Sequence, residues 1–351
     1  MRIAGCQVRV GKAALRQNMG AGVTDKIGIL LINLGTPEAT DFWSMRRYLK
    51  EFLSDKRVVE ARGLAWWLVL NGIILTRRPK KSGRAYDKIW NRALNESPLK
   101  TITRGQAEGL AGHFSDRPEV AVDWAMRYGK PSIAGGIDRL HSQGCTRILA
   151  FPVYPQYSGA TTATAMDKVF DALKNLRHQP NLRAVPPYYN HPAYIAAIAG
   201  TIRQRQAGLA TKPDVILASF HGLPVEFINK GDPYQAQCEE TANMLRHALG
   251  MNEERLKLAY QSRTGRAEWI GPDTEETLAE LARNGVGNVT VVAPGFAADC
   301  IETLEEIEMR AAAVFHQNGG REFTYVPCLN DGDEAVNLLA ELANSAMQGW
   351  G

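Results

Sequence analysis

Ile216-Leu217-Ala218-Ser219-Phe220-His221-Gly222-Leu223-Pro224 is the stretch from which the fold can be read. An apolar strand runs into a polar pair around His221, and Gly222 then permits a sharp turn. Nearly two hundred residues earlier, Ile32-Asn33-Leu34-Gly35-Thr36-Pro37 closes another apolar run with the same Gly-x-Pro. A fainter pair joins Phe151-Pro152-Val153-Tyr154-Pro155 to Val291-Val292-Ala293-Pro294-Gly295. Working outward, short β-branched runs at residues 27–33, 120–126, 147–153, 182–185, 215–220, 256–261, 289–293 and 323–326 alternate with helix-like segments. Strands alternating with helices indicate βαβ units and parallel sheets. Eight strands divide into two groups of four.

The expected fold is therefore α/β: two similar Rossmann-like domains, each a parallel four-stranded sheet flanked by helices. We expect residues 25–185 to form the first and 186–328 the second, with Pro186-Pro187 near the join. Residues 329–351 are expected to form a terminal helix that packs back on the first domain. Val336, Leu338, Leu339, Leu342 and Met347 supply its apolar positions. Residues 1–24 lack a continuous apolar core and read as a disordered leader, or as an over-extended start with Met19 the true beginning. A site between two such domains would lie at the carboxyl ends of the strands.

Composition narrows the class. Of the 351 residues, 45% are hydrophobic and 22% charged, the balance of a globular protein. The five cysteines, at 6, 145, 238, 300 and 328, show no C-x-x-C spacing, and their odd count argues against a disulfide framework. A reducing compartment, the cytoplasm, is expected. No run reaches the roughly 18 apolar residues of a membrane span. The net charge of +4 is unevenly spread: between Ser44 and Arg104, fifteen Lys or Arg stand against five Asp or Glu. Inside this region the apolar run from Leu64 to Leu75 contains Trp66 and Trp67, with Arg62 before it and Arg77, Arg78, Lys80 and Lys81 after it. Such a stripe suits peripheral contact with an anionic membrane or with an anionic, apolar ligand. It equally fits a buried helix with a solvated basic end.

Two segments carry chemistry. In the first, His221 sits at the mouth of a parallel sheet, where imidazole can accept a proton or bind a metal. A lone histidine is more often a hydrogen-bonded structural residue. In the second, Asp299, Glu302 and Glu306 follow a strand at spacings of three and four, so they share a helix face, with Leu304, Ile307, Ala311 and Phe315 opposite. By spacing alone, that is an amphipathic helix with its acidic side in water.

The composite pattern is more specific. Ser219-Phe220-His221-Gly222-Leu223-Pro224, followed by Gly231-Asp232-Pro233-Tyr234, resembles the ferrochelatase signature of Ser-x-His-Gly-x-Pro and Gly-Asp-x-Tyr. Glu302-Thr303-Leu304-Glu305-Glu306 resembles that family's Glu-Thr-Leu-x-Glu segment. Asn33-Leu34-Gly35-Thr36-Pro37-Glu38, Phe52-Leu53-Ser54-Asp55, Ser97-Pro98-Leu99, Met126-Arg127-Tyr128-Gly129, Tyr154-Pro155-Gln156-Tyr157-Ser158, Gln261-Ser262-Arg263 and Trp269-Ile270-Gly271-Pro272 fit in order across residues 27–326.

The resemblance implies an enzyme of the lyase class that inserts ferrous iron into protoporphyrin IX, the last chemical step of haem biosynthesis. Coproporphyrin III is the alternative substrate. A non-catalytic two-domain ligand-binding protein is the rival from another class. It implies His221, Glu302 and Glu306 as catalytic residues, with His221 and Glu302 also meeting the metal. Leu34, Tyr86, Tyr154 and Trp269 are implied to touch the macrocycle, Tyr128 and Ser158 are also implied to bind the substrate, and Asp299 and Cys300 to lie elsewhere in the cleft. Arg77, Arg78 and Arg127 are candidates for the propionates, since guanidinium matches carboxylate. Cys300 stands where many relatives carry histidine, and a thiol prefers softer metals than a carboxylate does. No dinucleotide fingerprint or P-loop is present, so no organic cofactor is implied, and no nucleic-acid partner. Some family members hold an iron–sulfur cluster on four cysteines, three of them in a C-terminal tail. This chain has no cysteine beyond Cys328, and Gly159 stands where clustered relatives place one, so no cluster is expected.

Overall fold

The structure is a computed structural model, and it describes residues 26–350 except 62, 264 and 266. The expected leader over 1–24 and the basic flank Arg62 lie outside the described residues. Strands β1 (Lys26–Gly35), β2 (Val120–Tyr128), β3 (Cys145–Pro152) and β4 (Asn181–Ala184) form one sheet in the order β2-β1-β3-β4. Strands β5 (Val215–His221), β6 (Leu256–Gln261), β7 (Asn288–Val292) and β8 (Glu322–Val326) form a second in the order β6-β5-β7-β8. Every pairing is parallel. Strands β1 and β5, interior in their sheets, are covered on both faces: Ile29 to Ile32 and Leu217, Ala218 and Phe220 are fully buried. That burial is why they read as unbroken apolar runs instead of alternating ones.

The repeat extends into the connections. Met126 N–H donates to Pro131 O at 2.7 Å after β2, and Tyr260 N–H donates to Pro272 O at 2.8 Å after β6. A capping side chain follows each proline. Ser132 accepts from Gly135 N–H to start the Ile133–Ser142 helix, and Asp273 accepts from Glu276 N–H to start the Thr274–Arg283 helix. After β3 and after β7 the chain crosses a loop and enters a wide helical turn with i→i+5 bonding, Gly159–Ala163 in one half and Glu302–Ala311 in the other. Such turns are uncommon and gather at functional sites.

The last helix, Asp333–Met347, sets Leu338, Leu339, Leu342 and Met347 in one apolar cluster with Ile29, Leu31 and Leu149 of the first sheet. Arg183 Nη1 donates to Gln348 O at 2.7 Å, and Arg147 donates to Trp350 O, so the chain end lies along β3 and β4. Among the described residues, no helix is long and apolar enough to cross a membrane.

Candidate active site

A cavity of about 400 Å³ opens between the carboxyl ends of the two sheets. The first half contributes Leu34, Arg78, Tyr86, Tyr154 and Ser158 to its walls, and the second contributes His221, Trp269, Cys300, Glu302 and Glu306.

His221 is the last residue of β5. Its Nδ1 lies 2.6 Å from Gly222 O. A carbonyl only accepts, so Nδ1 carries the proton in the neutral ring and Nε2 keeps its lone pair, the form a base or a metal ligand requires. Gly222 follows because nothing larger fits: a Cβ there would meet Gln261 O at 2.7 Å and the Trp269 ring at 3.2 Å. The β5–β6 register sets Gln261 opposite His221. Gln261 Nε2 donates to Glu302 O at 2.7 Å, and its Oε1 accepts from the fully buried Ser219 Oγ at 2.7 Å. The serine of the motif thus fixes a glutamine that fixes the start of the acidic helix.

Glu302 and Glu306 both face the cleft from that wide helix, while Ile307, Ala311 and Phe315 pack against Val289 and Val291 behind it. Ser262 Oγ donates to Glu306 Oε2 at 2.6 Å, and Arg310 Nη2 lies 3.3 Å from the same oxygen. Burial and the neighbouring charge of Glu302 push the Glu306 carboxyl above the ordinary range, against the pull of Ser262, Arg310 and His221. Cys300 lines the cleft too, but burial drives its thiol well up. Among the described residues, no group of three or more His, Cys, Asp or Glu is gathered to hold a metal ion.

Four expected site residues lie elsewhere. Asp299 does not line the cleft. It precedes the helix, so the three-and-four spacing does not extend to it, and its carboxylate accepts from Thr303 Oγ1 (2.9 Å), Tyr325 OH (2.6 Å) and Asn330 Nδ2 (2.7 Å). Arg127 is buried, with Nε donating to Thr164 Oγ1 at 2.7 Å and its guanidinium paired with Asp55. Tyr128 is fully buried and donates to Asp55 Oδ2 at 2.8 Å. Burial alone would raise the Asp55 carboxyl, but donors from Thr164, Arg57 and Tyr128 and the Arg127 charge hold it below the ordinary range. Arg77 is exposed and outside the cleft lining, whereas its neighbour Arg78 is part of it.

Sequence reasoning missed several residues. Tyr48, from the Phe42–Leu53 helix, and Val58 and Val59 beyond it line the cleft without belonging to a motif, and Phe52 of the Phe52-Leu53-Ser54-Asp55 segment lines it as well. Ser262, the residue after β6, gains its role by reaching Glu306. Asp232, noted as part of Gly-Asp-x-Tyr, joins the halves: its Oδ2 accepts from Ser158 Oγ at 2.9 Å and Gly159 N–H at 2.8 Å. The Leu64–Leu75 stripe divides. Leu70 and Leu75 are buried and Trp66 half-buried, while Leu64 (73% exposed), Trp67 (57%), Leu68 and Ile73 face outward.

Comparison with known proteins identifies the family. The family model described as Ferrochelatase matches residues 26–347. A protein named Ferrochelatase from Agrobacterium fabrum (strain C58) is 50% identical over 338 residues, covering 96% of this chain and 98% of its own length. Another of that name, from Rhizobium meliloti (strain 1021), is 53% identical over 325 residues, 93% of this chain and 96% of its own. Among solved structures, SirB from Bacillus subtilis with Fe3+ shares the fold, with a TM-score of 0.57 at 11% identity, over 93% of this chain and 97% of that one. The chain belongs to the ferrochelatase family, and it is a metal chelatase of the lyase class that inserts metal into a porphyrin.

Proposed function

We propose that the cleft inserts ferrous iron into protoporphyrin IX, giving protohaem and releasing two protons. The observation that carries this reading is a histidine with a free Nε2 sharing one largely apolar cleft with two carboxylates. Metalation has two obstacles: iron must shed water, and the ring must lose two pyrrole protons. His221 Nε2 accepts pyrrole protons, since neutral imidazole suits general-base work near neutral pH. Glu302 and Glu306 pass protons on and guide the iron, for which hard carboxylates and imidazole are fitting partners. Leu34, Tyr86, Tyr154 and Trp269 grip the macrocycle. A cleft that bends the ring exposes nitrogen lone pairs that a flat ring keeps in its plane.

Arg78 is the one Lys or Arg among the described lining residues. A single cation in an apolar cleft favours protoporphyrin over the more heavily carboxylated coproporphyrin. An anaerobic assay with ferrous iron and each porphyrin in turn tests this. Faster metalation of protoporphyrin supports the reading, and preference for coproporphyrin III reverses it.

The outward apolar residues Leu64, Trp67, Leu68 and Ile73, with Trp43 (64% exposed) on a neighbouring helix, precede the exposed cations Arg77, Lys80 and Lys81. This surface serves peripheral attachment to an anionic membrane, where a poorly soluble porphyrin can pass into the cleft.

A further inference from the structure

Behind the carboxylates lies a relay of charges that neither half completes alone. Glu305 sits between Glu302 and Glu306 on the wide helix, and it is 8% exposed and outside the cleft lining. Its Oε1 receives Lys88 Nζ at 2.8 Å. Lys88 belongs to the Leu75–Ile89 helix of the first half, the helix that also brings Arg78 and Tyr86 to the cleft. On the other side stands Arg310, which faces three carboxylates at once: Glu275 at 2.6 Å, Glu306 at 3.3 Å and Glu305 at 3.8 Å. One guanidinium cannot serve three carboxylates equally, and a nearly buried carboxylate left without a cation is strongly disfavoured. With Lys88 satisfying Glu305 at 2.8 Å, Arg310 divides itself between Glu275 and Glu306, the latter held alongside Ser262, and stays farther from Glu305.

We propose that Lys88, Glu305 and Arg310 are positioning residues: Lys88, reaching across from the substrate-gripping helix, keeps Glu305 from drawing Arg310 off Glu306. The inference rests on the reading of Glu306 as a working carboxylate. It also makes the first half a partner in the chemistry.

The logic predicts a specific epistasis. Removing Lys88 releases Glu305 to compete for Arg310, whereas removing the Glu305 charge as well abolishes the competitor. Lys88→Met should lower the turnover number on the order of tenfold, within the range by which coupled neighbours affect one another. The porphyrin KM should stay unchanged, because Lys88 does not line the cleft. Lys88→Arg should retain turnover, and Lys88→Met with Glu305→Gln should recover most of it. The Lys88 side chain is 54% exposed, so the single variant is expected to fold, and porphyrin binding by fluorescence confirms that it has. Normal turnover in Lys88→Met, or a double variant no better than the single, overturns the proposal. A Glu306→Gln control separates the two ideas. If Glu306→Gln is inactive and Lys88→Met is normal, the relay is wrong and the carboxylate reading stands. If Glu306→Gln turns over normally, both fail.

Discussion

The ends of β1 and β5 occupy the same place in two sheets of identical order, yet they do different work. Leu34-Gly35-Thr36-Pro37 and His221-Gly222-Leu223-Pro224 align residue for residue, so the apolar Leu34 stands where the second half has its imidazole. The neighbouring strands repeat the contrast. Arg127 at the end of β2 holds the Thr164 carbonyl (3.1 Å), just past the first wide turn, and Gln261 at the end of β6 holds the Glu302 carbonyl (2.7 Å) at the start of the second. The next residues, Tyr128 and Ser262, each donate to a carboxylate: buried Asp55 in one half, Glu306 at the cleft in the other. One scaffold thus presents an apolar grip from the first half and titratable groups from the second. Under the proposed function, equivalent positions in the repeated fold carry structural duty in one copy and chemistry in the other.

If that division is right, the largest effect comes from the second half. Glu302→Gln combined with Glu306→Gln should cut metalation on the order of a thousandfold, the range of acid–base groups, with porphyrin affinity little changed. Normal rates would dissolve the contrast.

The counterpart cluster in the first half should instead affect stability. Asp55→Asn breaks a buried pair with Arg127 and should cost about 3 kcal/mol in denaturant unfolding. Because the folded Asp55 carboxyl titrates below its unfolded value, its contribution is fully present above pH about 4 and is lost as pH falls through the lower folded value. The stability gap between wild type and variant should therefore hold at neutral pH and close in acid. A gap that vanishes already at neutral pH would show the cluster is not structural.

Smaller again is the grip. Arg78→Ala should raise the porphyrin KM by about tenfold, as for one hydrogen-bonded charge, and leave turnover largely intact. A fall in turnover alone would place Arg78 with the chemistry. Least of all, Trp67→Ser with Leu68→Ser should weaken co-sedimentation with anionic vesicles, and salt should weaken what remains. Trp66 is half-buried, so its replacement tests the fold of the lip and not its surface. A wild-type protein that ignores anionic vesicles at low salt would contradict the membrane reading.

Much of this was legible in the sequence. Strands β1 and β5 stand out because doubly covered strands must be apolar throughout, and His221, Glu302 and Glu306 because their motifs are long. Asp299 misled because helical spacing was extended past the helix start, where the carboxylate turns to Tyr325 and Asn330. Arg127 and Tyr128 misled because a segment's nearness to a cleft does not say which way its side chains point. The wide Glu302–Ala311 helix was invisible, since i→i+5 bonding changes no residue type.

The central claim is that chemistry resides at the end of β5 while binding does not depend on it. His221→Ala tests it most directly, in single-turnover anaerobic metalation with porphyrin binding followed on the same samples. The expected result is a loss on the order of a hundredfold or more in the chemical step, with porphyrin affinity close to wild type. Near-normal metalation in that variant would contradict it.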